Sequence, residues 1–350
     1  MLMSWEGWRT VLISVQALRA LAAWTVVGHH FMQIFFGFKA DTALGRLFVE
    51  KGAAGVDVFF VISGLVIFLS TQDKDLPPWR FLLYRLLRIV PAYWFYTLLM
   101  ALLVVVARPM LPDQSVDAAH VLMSLLFIPS ENPGGYGVYP TLNVGWTLNY
   151  EMLFYLLFAW TLLFRRQWRL LVVAALLFAV CEAWTSFGWI SAFYRSDIVV
   201  EFLLGIGIGM LYRKGWIRPG LWLPLLGIGA ALLAIYHWPA SPRALTWGLP
   251  SAVLVVACMA LERFFANNRL LKVLGDCSYS VYLLHVLVLS AGGYVAQRYG
   301  LNPYAVLAMC VVIIGLGALG SYRWLEQGSY RLLKGWFDGD ERSNLSRQKY

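Results

Sequence analysis

"ALRALAAWTVVGHHFMQIF", residues 17–35, decides how the chain is read. At about 1.5 Å per residue a helix over this stretch is close to the ~30 Å hydrocarbon core of a bilayer. The stretch is apolar enough to cross, yet it carries Arg19, His29 and His30. A charge at bilayer depth costs at least about 2.5–3.5 kcal/mol, so such residues turn toward protein or a water-filled cavity and serve a function there. The stretch therefore predicts a membrane helix built around a ligand or a reaction.

The rest of the chain agrees. Of 350 residues 60% are hydrophobic and 13% charged, and the mean hydropathy is +0.66, which excludes a soluble domain of this length. The apolar residues come in runs of about 17–25, the length of spanning helices, and not in the alternating runs of about ten that build barrel strands. The fold class expected is an all-α, polytopic integral membrane protein. Ten spans are predicted, at 12–36, 52–70, 89–107, 144–164, 170–186, 198–213, 219–236, 246–262, 276–296 and 304–324. The first run is too long for a signal-peptide core and no small-residue cleavage site follows it, so it is read as the first span.

An even number of spans puts both termini on one side. With that side inside, 20 of the 28 Lys and Arg fall on inner segments and 7 on outer ones, Arg19 lying within the first span. The positive-inside rule thus predicts cytoplasmic termini. The net charge of +9 is accounted for by this topology and by contact with anionic lipid, and it makes no case for nucleic acid. Residues 1–324 read as one transmembrane domain and 325–350 as a polar cytoplasmic tail ending in "DGDERSNLSRQKY". The longest outer loop, Arg108 to Asn143, holds "PSENPGGYGVYP", whose Pro and Gly predict irregular backbone, after a short apolar segment, Asp117 to Ile128, that suits the interface. Cys181, Cys258, Cys277 and Cys310 sit in apolar runs without metal-type spacing and read as small core residues, so no metal is expected.

Arg19 and His30 are 11 residues apart. At about 100° per residue they project within roughly 20° of each other, about 16 Å apart along the axis, while His29 points some 80° away. A buried, hydrogen-bonded structural histidine is the plainer reading of His30 alone; Arg19 on the same face tips the choice toward function. Asp57 and Glu151 enter their own spans from outside to about the depth of His30. A carboxylate near a histidine raises its basicity and fixes its tautomer, as abstraction of a hydroxyl proton requires. Spacing leaves open which carboxylate serves, and helix bridging explains either one. On the inner side "YRLLRIVPAYW" sets Arg85 and Arg88 three apart on one face. Paired guanidiniums suit phosphate, and positive-inside anchoring explains them equally well. In "GDCSYSVYLLHVLVL", Ser280, Tyr282 and His285 are candidates to line a cavity, and Glu201 and Glu326 add acids near span ends.

Taken in order, "LRALAAWTVVGHH" with its Arg-x10-His spacing, "GVDVFFVISGLVIF", "RLLRIVPAYW", "NVGWTLNYEMLFYLLFA", "LGDCSYSVYLLH" and "YRWLEQGSYRLLK" resemble membrane-bound acyltransferase family 3 over almost the whole chain. "GWTLNYEMLFY" is most similar to its exopolysaccharide acetyltransferases. His29 departs from the pattern, standing where an aromatic residue commonly precedes the family histidine. The resemblance implies a multi-pass protein of the bacterial cytoplasmic (inner) membrane, embedded in membrane lipids, that moves an acetyl group from cytosolic acetyl-CoA to a hydroxyl of a surface glycan, free or lipid-linked. It implies His30 as the catalytic residue and Arg19, Arg85 and Arg88 as the acyl-CoA-binding side. Base and acyl-carrier roles for His30 both need a neutral imidazole. The main rival reading is a transporter or flippase for a lipid-linked sugar, against which the lack of a visible internal repeat argues. A metal enzyme using His29 and His30 has little support, because adjacent histidines diverge by about 100° on a helix.

Overall fold

The computed structural model describes residues 12–73, 75–239 and 241–337. Their regular structure is all helical, with no strand among them. The helices are α1 Ile13–Phe36, α2 Ala43–Lys51, α3 Gly55–Thr71, α4 Pro78–Val106, α5 Ala118–Leu125, α6 Trp146–Thr161, α7 Arg169–Phe178, α8 Val200–Arg213, α9 Trp222–His237, α10 Leu249–Ala260, α11 Glu262–Phe265, α12 Arg269–Asp276, α13 Ser278–Tyr299 and α14 Pro303–Ser321. A helix stands at each of the ten predicted spans. Five helical stretches are long and apolar enough to cross a membrane: Ala43–Thr71, Pro78–Val106, Arg166–Trp184, Ser278–Tyr299 and Pro303–Phe337. The last shows that helix continues through residues 325–337, where the sequence reading began a polar tail; "DGDERSNLSRQKY" and the residues before Leu12 lie outside the described residues. All four cysteines are buried and free.

The chain divides into two compact units, Met1–Leu76 with Phe164–Ser278, and Pro77–Leu163 with Tyr279–Tyr350. In the first unit α1, α3, α8 and α10 pack around Val61, Leu65, Trp247 and Val255. Hydrophobic effect alone cannot join helices in lipid, so close backbone approach must do so, and small residues permit it. Gly64 and Gly205 make that approach: a Cβ on Gly205 would stand 2.0 Å from the Val61 carbonyl oxygen, and one on Gly64 2.1 Å from that of Phe202.

The start of α1 is fixed by Glu262, whose carboxylate accepts from the Ile13 and Ser14 amides at 2.8 and 2.9 Å, satisfying donors that no helical carbonyl can reach. Its end is a left-handed Gly37, φ 56°, whose amide turns back to Gln33 and Met32. In the second unit α5 hangs on α4: the Tyr93 hydroxyl donates to the Ser124 carbonyl at 3.0 Å and Trp94 Nε1 to that of Leu125 at 2.8 Å. The stretch after it is irregular as predicted, with Gly135 at φ 78° and Gly137 at φ 102°.

Candidate active site

In the first unit the GHH turn of α1 is gripped from both sides. A Cβ on Gly28 would meet the Phe48 ring at 2.5 Å, one on Gly52 the His29 Cβ at 2.8 Å, and one on Gly55 the Ala22 carbonyl oxygen at 2.4 Å. These glycines let α2, the turn after it and α3 close onto the histidine turn. His30 Nδ1 lies 3.1 Å from the Val26 carbonyl oxygen one turn back. A carbonyl can only accept, so Nδ1 is the donor in this contact, and a neutral ring so held has its basic lone pair on Nε2. His29 is held alike by the Phe48 carbonyl at 3.0 Å, its ring edge-on to His30 at 5.4 Å. Further down α1, Arg19 Nη1 donates to Gln16 Oε1 at 3.1 Å, and Gln16 Nε2 donates to Asp276 at 2.9 Å. Arg19 and His30 are both half-buried.

Asp57 is fully buried and grips Arg243 with both oxygens, Nε and Nη2 each donating at 2.8 Å. Arg243 also reaches the Ala53 carbonyl and lies over the Trp247 ring at 5.2 Å, and Asp197 caps the Ala244 amide at 2.9 Å. Glu201, equally buried, stands against Asp57 and packs onto the backbone of Gly248. Residues 244–248 form a wide π-type turn, which re-aims the side chains around it. The buried pair ties α3 to the 241–248 segment beside the histidine turn.

In the second unit Arg85, Arg88 and Glu151 come together. Arg85 is buried with its guanidinium 5.5 Å from the Phe81 ring and 5.8 Å from the Tyr155 ring, within electrostatic reach of Arg88 and Glu151. The Tyr155 hydroxyl donates to Glu151, one helical turn earlier on α6. Ser280 donates to Glu326 and shares a 2.8 Å bond with Ser321. Tyr282 donates to the Val144 carbonyl at 2.8 Å and meets Thr147 at 3.0 Å, while His285 Nδ1 is held by the Val281 carbonyl. Ser280 and His285 are wholly buried and Tyr282 nearly so.

Sequence reasoning missed Arg243, Tyr155 and Ser321. A buried aspartate demands a cation, but its partner lies 186 residues away and spacing carries no trace of it. Tyr155 was findable: it stands four residues after Glu151, the interval that stacks side chains on one helix face. Among the described residues no three His, Cys, Asp or Glu side chains group to hold a metal.

Membrane-length helices bearing a histidine with a defined basic nitrogen, buried arginines and carboxylates have the equipment of a membrane-embedded enzyme. The profile of the acyltransferase 3 domain covers residues 12–322, and the chain belongs to this acyltransferase family. It is 35% identical over 307 residues, 83% of this chain and 93% of the relative, to the exopolysaccharide production protein ExoZ of Rhizobium meliloti (strain 1021). It is 28% identical to the acyltransferase MdmB of Streptomyces mycarofaciens, covering 87% of this chain and 89% of that one. No solved structure matches it.

Proposed function

We propose that this chain transfers an acetyl group from cytosolic acetyl-CoA to a hydroxyl of a bacterial surface carbohydrate, an exopolysaccharide or related glycan, through a cavity among ten spans of the inner membrane with both termini in the cytoplasm. The name of the Rhizobium relative and the family membership support the acceptor class and the reaction. His30 is the general base. Its Nε2 takes the hydroxyl proton as that oxygen bonds to the thioester carbonyl carbon; the C–S bond then breaks and the proton passes to the departing thiolate, giving the ester and free CoA. Arg85 and Arg88 hold coenzyme phosphates, for which guanidinium forks are suited, and Arg19 faces the thioester arm. Glu151 and Tyr155 fix the Arg85 side chain, and Asp57 with Arg243 holds the histidine turn in register.

The observation that supports this reading is the Val26 carbonyl at His30 Nδ1, a contact that suits a neutral ring with its basic lone pair on Nε2. The test is CoA release by purified protein given acetyl-CoA and surface glycan. His30→Ala is expected to abolish release while the protein stays folded, and Arg85→Gln with Arg88→Gln to weaken coenzyme binding more than glycan binding. Movement of unmodified glycan across vesicles without thioester consumption would establish the transport reading instead.

A further inference from the structure

Arg19, which the function proposed above sets on the thioester arm, is itself held by side chains from two helices. Gln16 stands three residues before it, on the same face of α1. The Gln16 carboxamide is bonded at both ends: Oε1 accepts from Arg19 Nη1 at 3.1 Å, and Nε2 donates to Asp276 Oδ1 at 2.9 Å. The other oxygen of Asp276 accepts from Lys272 Nζ at 2.6 Å, one turn earlier on α12. The Asp276 side chain is 14% exposed, which limits the water that could compete for its oxygens.

The order of donors and acceptors in this row is dictated from one end. An amide can turn either end toward a neighbour, whereas an ionised carboxylate only accepts. Asp276 therefore takes the nitrogen end of Gln16, and the oxygen end faces Arg19. Backbone packing brings the two side chains together: a Cβ on Gly275 would stand 2.4 Å from the Gln16 carbonyl oxygen and 2.5 Å from the Gln16 Cβ, so α12 lies directly against α1 at this residue. The row also spaces its charges. Lys272 meets the Asp276 carboxylate, and Arg19 meets a neutral oxygen. A carboxylate at position 16 would hold the guanidinium as firmly, but it would offset the charge that makes bonds to a ligand oxygen about twice as strong as neutral ones. A mere tie between α1 and α12 requires neither this order nor this neutrality.

We propose that Gln16 and Asp276 are positioning residues for Arg19: Asp276 sets the orientation of the Gln16 amide, and Gln16 aims the Arg19 guanidinium while leaving its charge to act on the acyl donor. That the ligand is the acyl donor rests on the function proposed above; that Gln16 and Asp276 hold Arg19 does not, and the two separate experimentally.

The full chain in detergent would be compared as wild type, Gln16→Met, Asp276→Leu and the exchange Gln16→Glu/Asp276→Asn. The exchange keeps the net charge and can keep every hydrogen bond of the row, but it moves the carboxylate next to Arg19. Acetyl-CoA affinity would be measured by calorimetry, kcat by CoA release, and the rate at which phenylglyoxal modifies Arg19 by peptide mass spectrometry. Gln16→Met, which leaves the Arg19 side chain to be ordered by the ligand, is expected to weaken acetyl-CoA binding about fivefold and to raise Arg19 modification about threefold. Asp276→Leu lets the amide turn and should do the same to a lesser extent. The exchange should also weaken acetyl-CoA binding about fivefold, with Arg19 as protected as in wild type. In each, kcat should stay within about twofold, because the Glu262 cap and the Gly275 contact still brace α1. An exchange that binds acetyl-CoA like wild type, or a Gln16→Met that loses kcat and melting temperature with no selective loss of affinity, overturns the proposal in favour of a plain helix tie. Arg19→Gln is the reference: if it binds acetyl-CoA like wild type, or if wild type binds none, the role given to Arg19 fails, and the labelling alone then decides, equal Arg19 modification in wild type, Gln16→Met and Asp276→Leu overturning the proposal. Should either of those variants fail to fold, the exchange, which forfeits no hydrogen bond, carries the test.

Discussion

Removing Arg243 probes the buried pair directly. Asp57 is 0% exposed and Arg243 keeps only 23% of its side chain exposed, so truncation leaves a carboxylate deep in the fold without its cation. At a charge separation of about 4 Å and an effective dielectric of ~20 the attraction is about 4 kcal/mol. Breaking one side of a buried pair typically costs about 3–5 kcal/mol, in agreement. Arg243→Leu is therefore expected to lose about 4 kcal/mol, a fall on the order of 8 °C in unfolding midpoint for a chain of this size. Asp57→Leu strands a guanidinium that is less buried, so its loss should be smaller. The double variant Asp57→Leu/Arg243→Leu removes both charges and should recover most of the stability, since a buried pair replaced by apolar residues is often neutral. The assay is a double-mutant cycle on detergent-solubilised protein, followed by tryptophan fluorescence. Additive losses, or an Arg243→Leu loss under about 1 kcal/mol, would falsify the claim that this pair anchors α3.

Gly205→Ala should shift α3 from α8 and lower stability by about 1–3 kcal/mol, because the added methyl meets backbone that cannot rotate away; Gly207→Ala, with nothing within 4 Å, is the control and should stay close to neutral by thermal unfolding. Gly55→Ala presses on the Ala22 carbonyl and should displace the histidine turn, cutting acyl transfer by about 10²-fold with the fold retained, measured as kcat; an unchanged kcat would separate α3 from catalysis. Tyr155→Phe keeps the ring beside Arg85 but removes the hydroxyl on Glu151, so acetyl-CoA affinity should fall several-fold while expression and melting stay near wild type. Burial lowers the His120 pKa from 6.5, with Asp117 and a bond at Tyr139 opposing, while Ser130 Oγ meets Nδ1 at 2.9 Å. The unfolded chain takes up that proton first, so the contribution is full above pH ~6.5 and lost as pH falls through the lowered folded value. Amide exchange over residues 128–141 should accelerate below pH ~6, and His120→Gln should flatten the dependence.

What was legible in the sequence is what a single helix encodes. Arg19, His29 and His30 share α1, so their number, interval and relative facing followed from 3.6 residues per turn, and Arg85 with Arg88 followed likewise from α4. That helix stands at each of the ten predicted spans followed from hydropathy, although α6, α8 and α9 are shorter than the runs that announced them. Pairings across distant segments were not legible. Asp57 with Arg243, and Ser280 with Glu326 and Ser321, join positions 186, 46 and 41 residues apart, and their geometry depends on π-type turns at 244–248 and 322–328 that no periodicity announces. The extension of helix to Phe337 was missed because "YRLLKGWF" is too polar on one side to read as membrane and was assigned to the tail.

The distribution of restraints on α1 argues for a preorganised base. Its first amides are capped by Glu262, its lower half is tied through Gln16 to Asp276, and a Cβ on Gly275 would strike the Gln16 carbonyl at 2.4 Å. Its upper half is closed on by Gly52 and Gly55, and α3 is pinned in turn by Asp57 on Arg243. Glycine contacts of this kind set backbone close against its neighbour, where no rotamer of the glycine can absorb a shift. An imidazole carried on such a helix, with Nδ1 bound to the Val26 carbonyl within its own turn, has little freedom with which to misplace its ring. Reorganisation that a mobile base would have to undergo at each turnover is thereby completed during folding, which is where rate advantages of orientation arise. Under the proposed function, the buried ion pair beside the histidines would act on chemistry through α3, by keeping His30 Nε2 in place.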